Sequence, residues 1–271
     1  MKRIETVYWP GGCERAVTLS FDDGRTEDYR LVEMFNKYGL KATFHLCIPE
    51  LLQKLIGDAT LVDAADYAAL YKGHEISCHM AHHPFPAWMP DEAIRAEITE
   101  NRLYLEKLCG YPVRGMSYPY GSYSERVASV CRSAGMEYSR TVEETGEFRI
   151  PENFMFWNPT CHFYRADEEL LKKFMRPLNY DRMRLMYIWG HSFEFYTEEK
   201  WQAAEKFFGH LTENENIWYA TNIQIVDYMN AVRLLRFAEQ CTSVYNPSCT
   251  DVWIAVDLEP VKIPAGATVK L

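Results

Sequence analysis

Short apolar runs rich in β-branched residues alternate along the chain with stretches of helical periodicity. Strand-like segments fall at 15–20, 42–47, 74–78, 113–118, 136–141, 185–190 and 216–220, seven in all. Between them the spacing predicts helices around Leu31, Met34 and Phe35, over 65–70, 91–108, 124–134, 168–175, 197–208 and 223–235. The clearest opens at Asp91 as an N-cap candidate, places Ile94, Ile98, Leu105 and Leu108 on one face, and stops at Gly110. Alternation on this scale predicts an α/β fold, a mostly parallel sheet with helices outside, either open or closed into a barrel.

From residue 242 onward the pattern changes. Val252-Trp253-Ile254-Ala255-Val256, Val261-Lys262-Ile263 and Ala267 to Leu271 read as two or three short antiparallel strands separated by turns. Residues 1–241 are therefore expected to form the main barrel and 242–271 a C-terminal β appendage. So few strands rarely stand alone, which favours packing against the barrel or a subunit. Sugar binding by Trp253 is the lesser alternative.

Composition narrows the partners. The chain has 271 residues, 48% hydrophobic and 25% charged, ordinary values for a globular protein with a full core. A formal charge of −9 without a basic cluster argues against nucleic acid and anionic membranes, which are bound through grouped Lys and Arg. The basic start, Met1-Lys2-Arg3, has no apolar segment behind it, so a cytoplasmic location is expected. Eight scattered cysteines without a C-x-x-C pair read as reduced, mostly buried thiols. Oligomeric state has no signature in the sequence.

The polar positions that interrupt this pattern lie where strands end. Asp22 and Asp23 close the first strand ahead of Gly24, His79 the third, Ser117 to Tyr120 the fourth, Arg140 the fifth and His191 the sixth. In a parallel barrel such ends converge on one face, where loops carry catalysis. Each has a plain alternative: Asp-Asp-Gly suits a turn, and His191 a satisfied core histidine. His79 and His83, four residues apart, would face the same way on one helical turn. Two imidazoles and one carboxylate make a three-ligand metal site with open positions, the arrangement of a catalytic rather than a structural centre.

Ser20-Phe21-Asp22-Asp23-Gly24 resembles the [TS]-F-D-D-G motif of the polysaccharide deacetylases, the NodB homology domain of carbohydrate esterase family 4. Gly73 to Pro84, with Glu75, His79 and His83, resembles that family's G-x-E-x-x-x-H-x-x-x-H-P motif. Tyr118-Pro119-Tyr120-Gly121 resembles the end of its third motif, and Ile188-Trp189-Gly190-His191 stands in the place of its late L-x-H motif. The resemblance spans about residues 13–230 and implies a distorted (β/α)7 barrel. It implies Asp22 as general base, Asp23, His79 and His83 as metal ligands, His191 as the general acid that protonates the leaving amine, and the Tyr120 amide as oxyanion donor. The third motif departs from the family's R-P-P-Y-G: Ser117 stands at the Arg position. Arg140, at the next strand end, is the candidate replacement beside Asp22.

These roles imply metal-dependent hydrolysis of an N-acetyl group from an amino-sugar glycan, with one divalent ion, Zn first and Co, Ni or Mn as alternatives. Trp157 and Trp189 are the favoured sugar-stacking residues among Trp88, Tyr118, Tyr120 and Tyr123, and His162 is a supporting or substrate-contact candidate. A small non-sugar amide is the rival substrate, and a non-catalytic carbohydrate-binding module the rival class. A retained free base at Asp22 speaks against the latter.

Overall fold

The structure, a computed structural model, describes residues 2–178 and 182–271. After a two-residue strand β1 (Ile4–Glu5) comes β2 (Arg15–Asp22), buried at every position as a central strand covered on both faces must be. It is followed by β3 (Ala42–Leu46), β4 (Glu75–Cys78), β5 (Gly115–Ser117), β6 (Tyr138–Arg140), β7 (Cys161–His162), β8 (Arg184–His191) and β9 (Ile217–Tyr219). The order around the sheet is β6-β5-β4-β3-β2-β8-β7, and β9 pairs with the first half of β2. All these ladders are parallel.

This is a distorted (β/α)7 barrel. Its distortion lies between β6 and β7, where the ladder gives way to a single parallel bridge, Arg140 to Trp157. The two-residue β7 was not among the expected strands, and β5 and β6 are shorter than their apolar runs, because the hydrogen-bonded ladder covers only part of each buried segment. A helix over Pro49–Ile56 was also not expected; Pro49 at its first turn supplies the preset φ that starts it. The segment near 65–70 is a 3-10 turn running into the short helix Tyr67–Leu70.

Outside the sheet, the helix Asp91–Cys109 buries Ile94, Ile98 and Leu105. Pro90 is its N-cap and Asp91 its first residue, where Asp91 pairs with Arg126 rather than capping. The apolar face also carries buried Asn101, between Ile98 and Leu105. A second core, with Trp9, Tyr187, Tyr228, Val252 and Ile254, joins the barrel to the C-terminal strands. These are β10 (Arg236–Phe237), β11 (Ser243–Tyr245), β12 (Val252–Val256), β13 (Glu259–Ile263) and β14 (Thr268–Lys270). β12 pairs antiparallel with β1 and β13, and β11 with β10 and β14. The C-terminal sheets thus recruit the N-terminal strand and residues 236–237 as well. Among the described residues no helix is long and apolar enough to cross a membrane.

Within the barrel a polar network replaces apolar packing. Glu75 accepts from the Thr43 hydroxyl (2.8 Å), the Tyr138 hydroxyl (2.8 Å) and the Ile223 amide (2.9 Å), so the Glu of the G-x-E pattern ties three elements together. Burial nevertheless pushes its pKa up to about 7.

Candidate active site

The rim of the barrel is set by the way β2 ends. Asp22 is the last residue of the strand, in register with His45 on β3 and His191 on β8. Asp23 (φ 79°) and Gly24 (φ 65°) then adopt left-handed conformations in succession and swing the chain off the sheet. A Cβ at Gly24 would sit 2.9 Å from Leu46 Cδ2, so the corner accepts glycine on both conformational and steric grounds. Two adjacent carboxylates thereby acquire different surroundings.

Asp22 is buried. One oxygen, Oδ2, pairs with the guanidinium of Arg140, itself without solvent exposure, and Oδ1 lies 3.4 Å from the Ser117 hydroxyl. Ser117 and Arg140 are direct neighbours across the β5–β6 ladder. The small side chain at 117 leaves room, and the long one at 140 reaches over. Arg140 is covered by the face of Trp189, 4.2 Å from the ring centroid, which keeps water from the ion pair.

Asp23 faces His79 and His83 instead. Its Oδ1 lies 3.7 Å from His79 Nε2 and 3.8 Å from His83 Nε2, and it has no hydrogen-bond partner. Gaps of this length are too wide for hydrogen bonds and suit atoms that share a cation. The histidines do not lie on a helical turn. Residues 79–85 form an irregular loop in which Met80 (φ 60°) and His83 (φ 53°) reverse the chain, bringing the two rings to 4.7 Å. Helical spacing located the pair, but two left-handed residues join it. His82 points away and pairs with Glu97.

Electrostatics fit a cation here. Burial holds His79 well below the ordinary histidine range, helped by the charges of His83 and Arg140, and burial also lowers His83. Both rings are therefore neutral donors near neutral pH. The His79 Nδ1–H donates toward the Ser117 carbonyl (3.1 Å) and hydroxyl (2.7 Å), leaving its Nε2 lone pair toward Asp23. Burial pushes Asp23 up against the opposing pull of His191 and His83. A half-buried carboxylate whose Oδ1 lacks a hydrogen-bond partner, beside two imidazole lone pairs, is relieved by a divalent ion.

Across the rim, His191, His162 and Glu194 form a second cluster of a different kind. Glu194 Oε2 accepts from His191 Nδ1 (3.2 Å), His162 Nε2 (3.0 Å) and the His191 amide (2.9 Å), all hydrogen-bond lengths. Burial would lower the His191 pKa, but Glu194, Asp23 and Asp22 outweigh it and raise the pKa above the ordinary value. Burial likewise opposes ionisation of Glu194, yet the two histidines bring it down to about 2.

Of the other expected residues, Tyr120 (φ 56°) lies in a 3-10 turn with its ring against His83, 4.3 Å between centroids. Trp189 is half-buried, with one face on Arg140 and its edges near His162 and His191. Trp157 is not available to a sugar. It is 1% exposed and locked among Tyr138, Phe154 and Tyr187, because the segment that bridges β6 to β7 turns its side chain into the second core.

Three contributors had not been singled out. Asn101 Oδ1 accepts from the His79 amide (3.1 Å); its signal was the polar position within the apolar stripe of the helix Asp91–Cys109. Glu194 follows His191 by three residues, a spacing that a turn brings together. His45, buried next to Asp22, is held well below the ordinary range by burial and reads in the sequence only as part of an apolar run.

The rim thus brings together an arginine-paired carboxylate, an Asp-His-His group that could hold a metal ion, and a carboxylate-held histidine. Comparison with known proteins adds to this picture. The sequence model described as Polysaccharide deacetylase matches residues 11–139, which include Asp22, Asp23, His79 and His83 and stop one residue short of Arg140. The YxkH protein of Bacillus subtilis (strain 168), which bears the name of a polysaccharide deacetylase, is 24% identical over 132 residues, 48% of this chain and 46% of that one. The chain thus spans about half the length of this curated relative. A crystal structure from Mycobacterium smegmatis that carries the same family name superposes with a TM-score of 0.62 at 15% identity, over 84% of this chain and 94% of that one. A family 4 carbohydrate esterase pseudoenzyme from Bacillus anthracis gives 0.53 at 18% identity, over 79% and 66%. At these identities the structures share the fold. Over residues 11–139 the chain is thus similar to the polysaccharide deacetylases, and its fold is that of the solved structures above.

Proposed function

We propose that the protein is a metal-dependent N-deacetylase of amino-sugar glycans. The observation that carries this reading is the divided pair: Asp22 is bound to Arg140 and Asp23 is left open toward two neutral imidazoles. A pure metal binder has no use for the first arrangement. Asp23, His79 and His83 would hold the ion, Zn before Co, Ni or Mn, which when bound supplies Lewis acidity to a water and to the acyl oxygen.

The chain's own groups do the rest. Asp22 accepts the proton of the attacking water, and Arg140 and Ser117 fix its carboxylate from two sides. The Tyr120 amide donates to the acyl oxygen as negative charge gathers there, a contribution worth about 3 kcal/mol in comparable sites. His191 gives a proton to the leaving nitrogen. Its Nδ1 is held by Glu194, so the transferable proton is on Nε2.

The test is acetate release from N-acetylglucosamine oligomers by the metal-loaded protein, measured against a panel of small non-sugar amides. Turnover of the oligomers is expected. Hydrolysis confined to the amides would move the protein to the rival substrate class, and binding of oligomers without turnover to the non-catalytic one.

A second prediction concerns pH. His191 must be protonated to act, so activity falls as pH rises through its pKa, which Glu194 holds up. Glu194→Gln removes that support and should move the alkaline limb of the kcat profile to lower pH by about one unit. An unmoved limb would mean that Glu194 does not tune His191.

A further inference from the structure

Among the described residues two groups of three side chains bring metal-binding atoms within 4.8 Å of one another: Asp23, His79 and His83, and across the rim His162, His191 and Glu194. In the chemistry above, the second group only supports His191. Its spacing allows more. Glu194 Oε2 lies 3.0 Å from His162 Nε2 and 3.2 Å from His191 Nδ1. Two ligand atoms on one tetrahedral zinc ion, with bonds of about 2 Å, stand about 3.3 Å apart. The same atoms can therefore share protons or an ion with little movement.

The group is also held in place. His162 ends β7 and His191 ends β8, and the two strands pair in parallel with His162 beside Trp189. Glu194 is tied back by the His191 amide, 2.9 Å from Oε2. Each imidazole is flanked by two rings, His162 by Trp189 and Tyr164, His191 by Trp189 and Phe193. All three residues are half-buried, so the cluster is reachable from solvent. Two imidazoles and a carboxylate make a donor set that zinc takes with a fourth position for water. One contact sets a limit on affinity. The Tyr164 amide donates to His162 Nδ1 (3.4 Å), a long bond that is given up when Nε2 binds a metal and the ring proton moves to Nδ1.

We propose that His162, His191 and Glu194 form a second, weaker zinc site, and that an ion there switches off the acid function of His191. Filling the site displaces the Nδ1 proton of His191 to solvent. The ring then keeps only its Nε2 proton, which a metal-bound neutral imidazole gives up far less readily than an imidazolium does. The site stands on the ligand spacing; its inhibitory effect rests on the deacetylase reading given above, in which His191 protonates the leaving nitrogen.

Equilibrium dialysis against excess zinc, followed by elemental analysis, tests the site without turnover. The parent is expected to hold two equivalents, one of which is lost on further dialysis into zinc-free buffer. In excess zinc, His162→Gln and Glu194→Gln should each hold only the tight equivalent, whose retention shows that the barrel is folded, and Asp23→Ala should hold only the weak one. A parent that binds a single equivalent would overturn the proposal. So would a second equivalent that survives in both His162→Gln and Glu194→Gln, as an adventitious surface ion does. In a kinetic arm, acetate release by the parent should fall about a hundredfold as the second equivalent fills, while His162→Gln stays within about twofold of its own rate before the excess is added. Zinc binding as expected with no acetate release from any sample would refute the deacetylase reading and leave the site standing. Release that is indifferent to the second equivalent would refute its inhibitory role.

Discussion

Asp22→Asn is expected to leave metal binding intact and to lower kcat on an N-acetylated substrate by about a thousandfold, whereas Asp23→Ala should remove the metal altogether. The two residues are adjacent, yet their surroundings differ. Asp22 is buried against Arg140 and Ser117, whereas Asp23 Oδ1 has no hydrogen-bond partner among the described residues and faces two imidazole nitrogens. An Asn at 22 keeps the shape and can still hydrogen-bond, but its amide cannot take a proton, and general-base catalysis is typically worth 10² to 10⁴ in rate. An Ala at 23 removes one of three ligands, which such a site does not survive at ordinary metal concentrations. Metal content by elemental analysis and initial rates of acetate release are the measurements. Parent-like metal content and rate in both variants would sink the assignment of these roles.

The second large effect is on stability. Arg140→Met should destabilise the fold by roughly 3–5 kcal/mol, because it strands a carboxylate in the barrel interior without its counter-charge. Adding Asp22→Asn to that variant should recover most of the loss, since neither partner is then charged. Denaturant unfolding of the parent, the two single variants and the double variant closes the cycle. If the double variant is no more stable than Arg140→Met alone, the Asp22–Arg140 pair is not what holds this end of the barrel. The Trp189 face over Arg140 adds to the expected size of the effect, because it shields the pair from solvent that would otherwise soften the loss.

Much of this could be read from the chain because parallel strands buried on both faces leave uninterrupted apolar runs, and polar residues that end such runs are conspicuous. β2 and β8, the two longest barrel strands, bring Asp22 and His191 to the same level through one continuous register. What escaped had other physical causes. β7 is two residues long and carries no periodicity. The loop joining His79 to His83 depends on positive φ at Met80 and His83, for which neither residue type gives notice. Trp157 follows a strand end as Trp189 sits near one, but it turns inward because its segment closes the gap between β6 and β7; composition alone does not distinguish a Trp that closes a core from one that lines a cleft. Asn101 and Glu194 act through neighbours distant in sequence or hidden in a turn.

Arg140 stands beside Ser117 across the β5–β6 ladder, in the same register. Adjacent strands are only about 4.8 Å apart, so a side chain as long as arginine can serve the same carboxylate from either of them. The functional unit is then a ring of positions around the barrel mouth rather than a line of letters along the chain. A search for linear signatures would find Ser117 and stop there. One conducted around the circumference finds an arginine a single step to the side, paired with the carboxylate that ends β2.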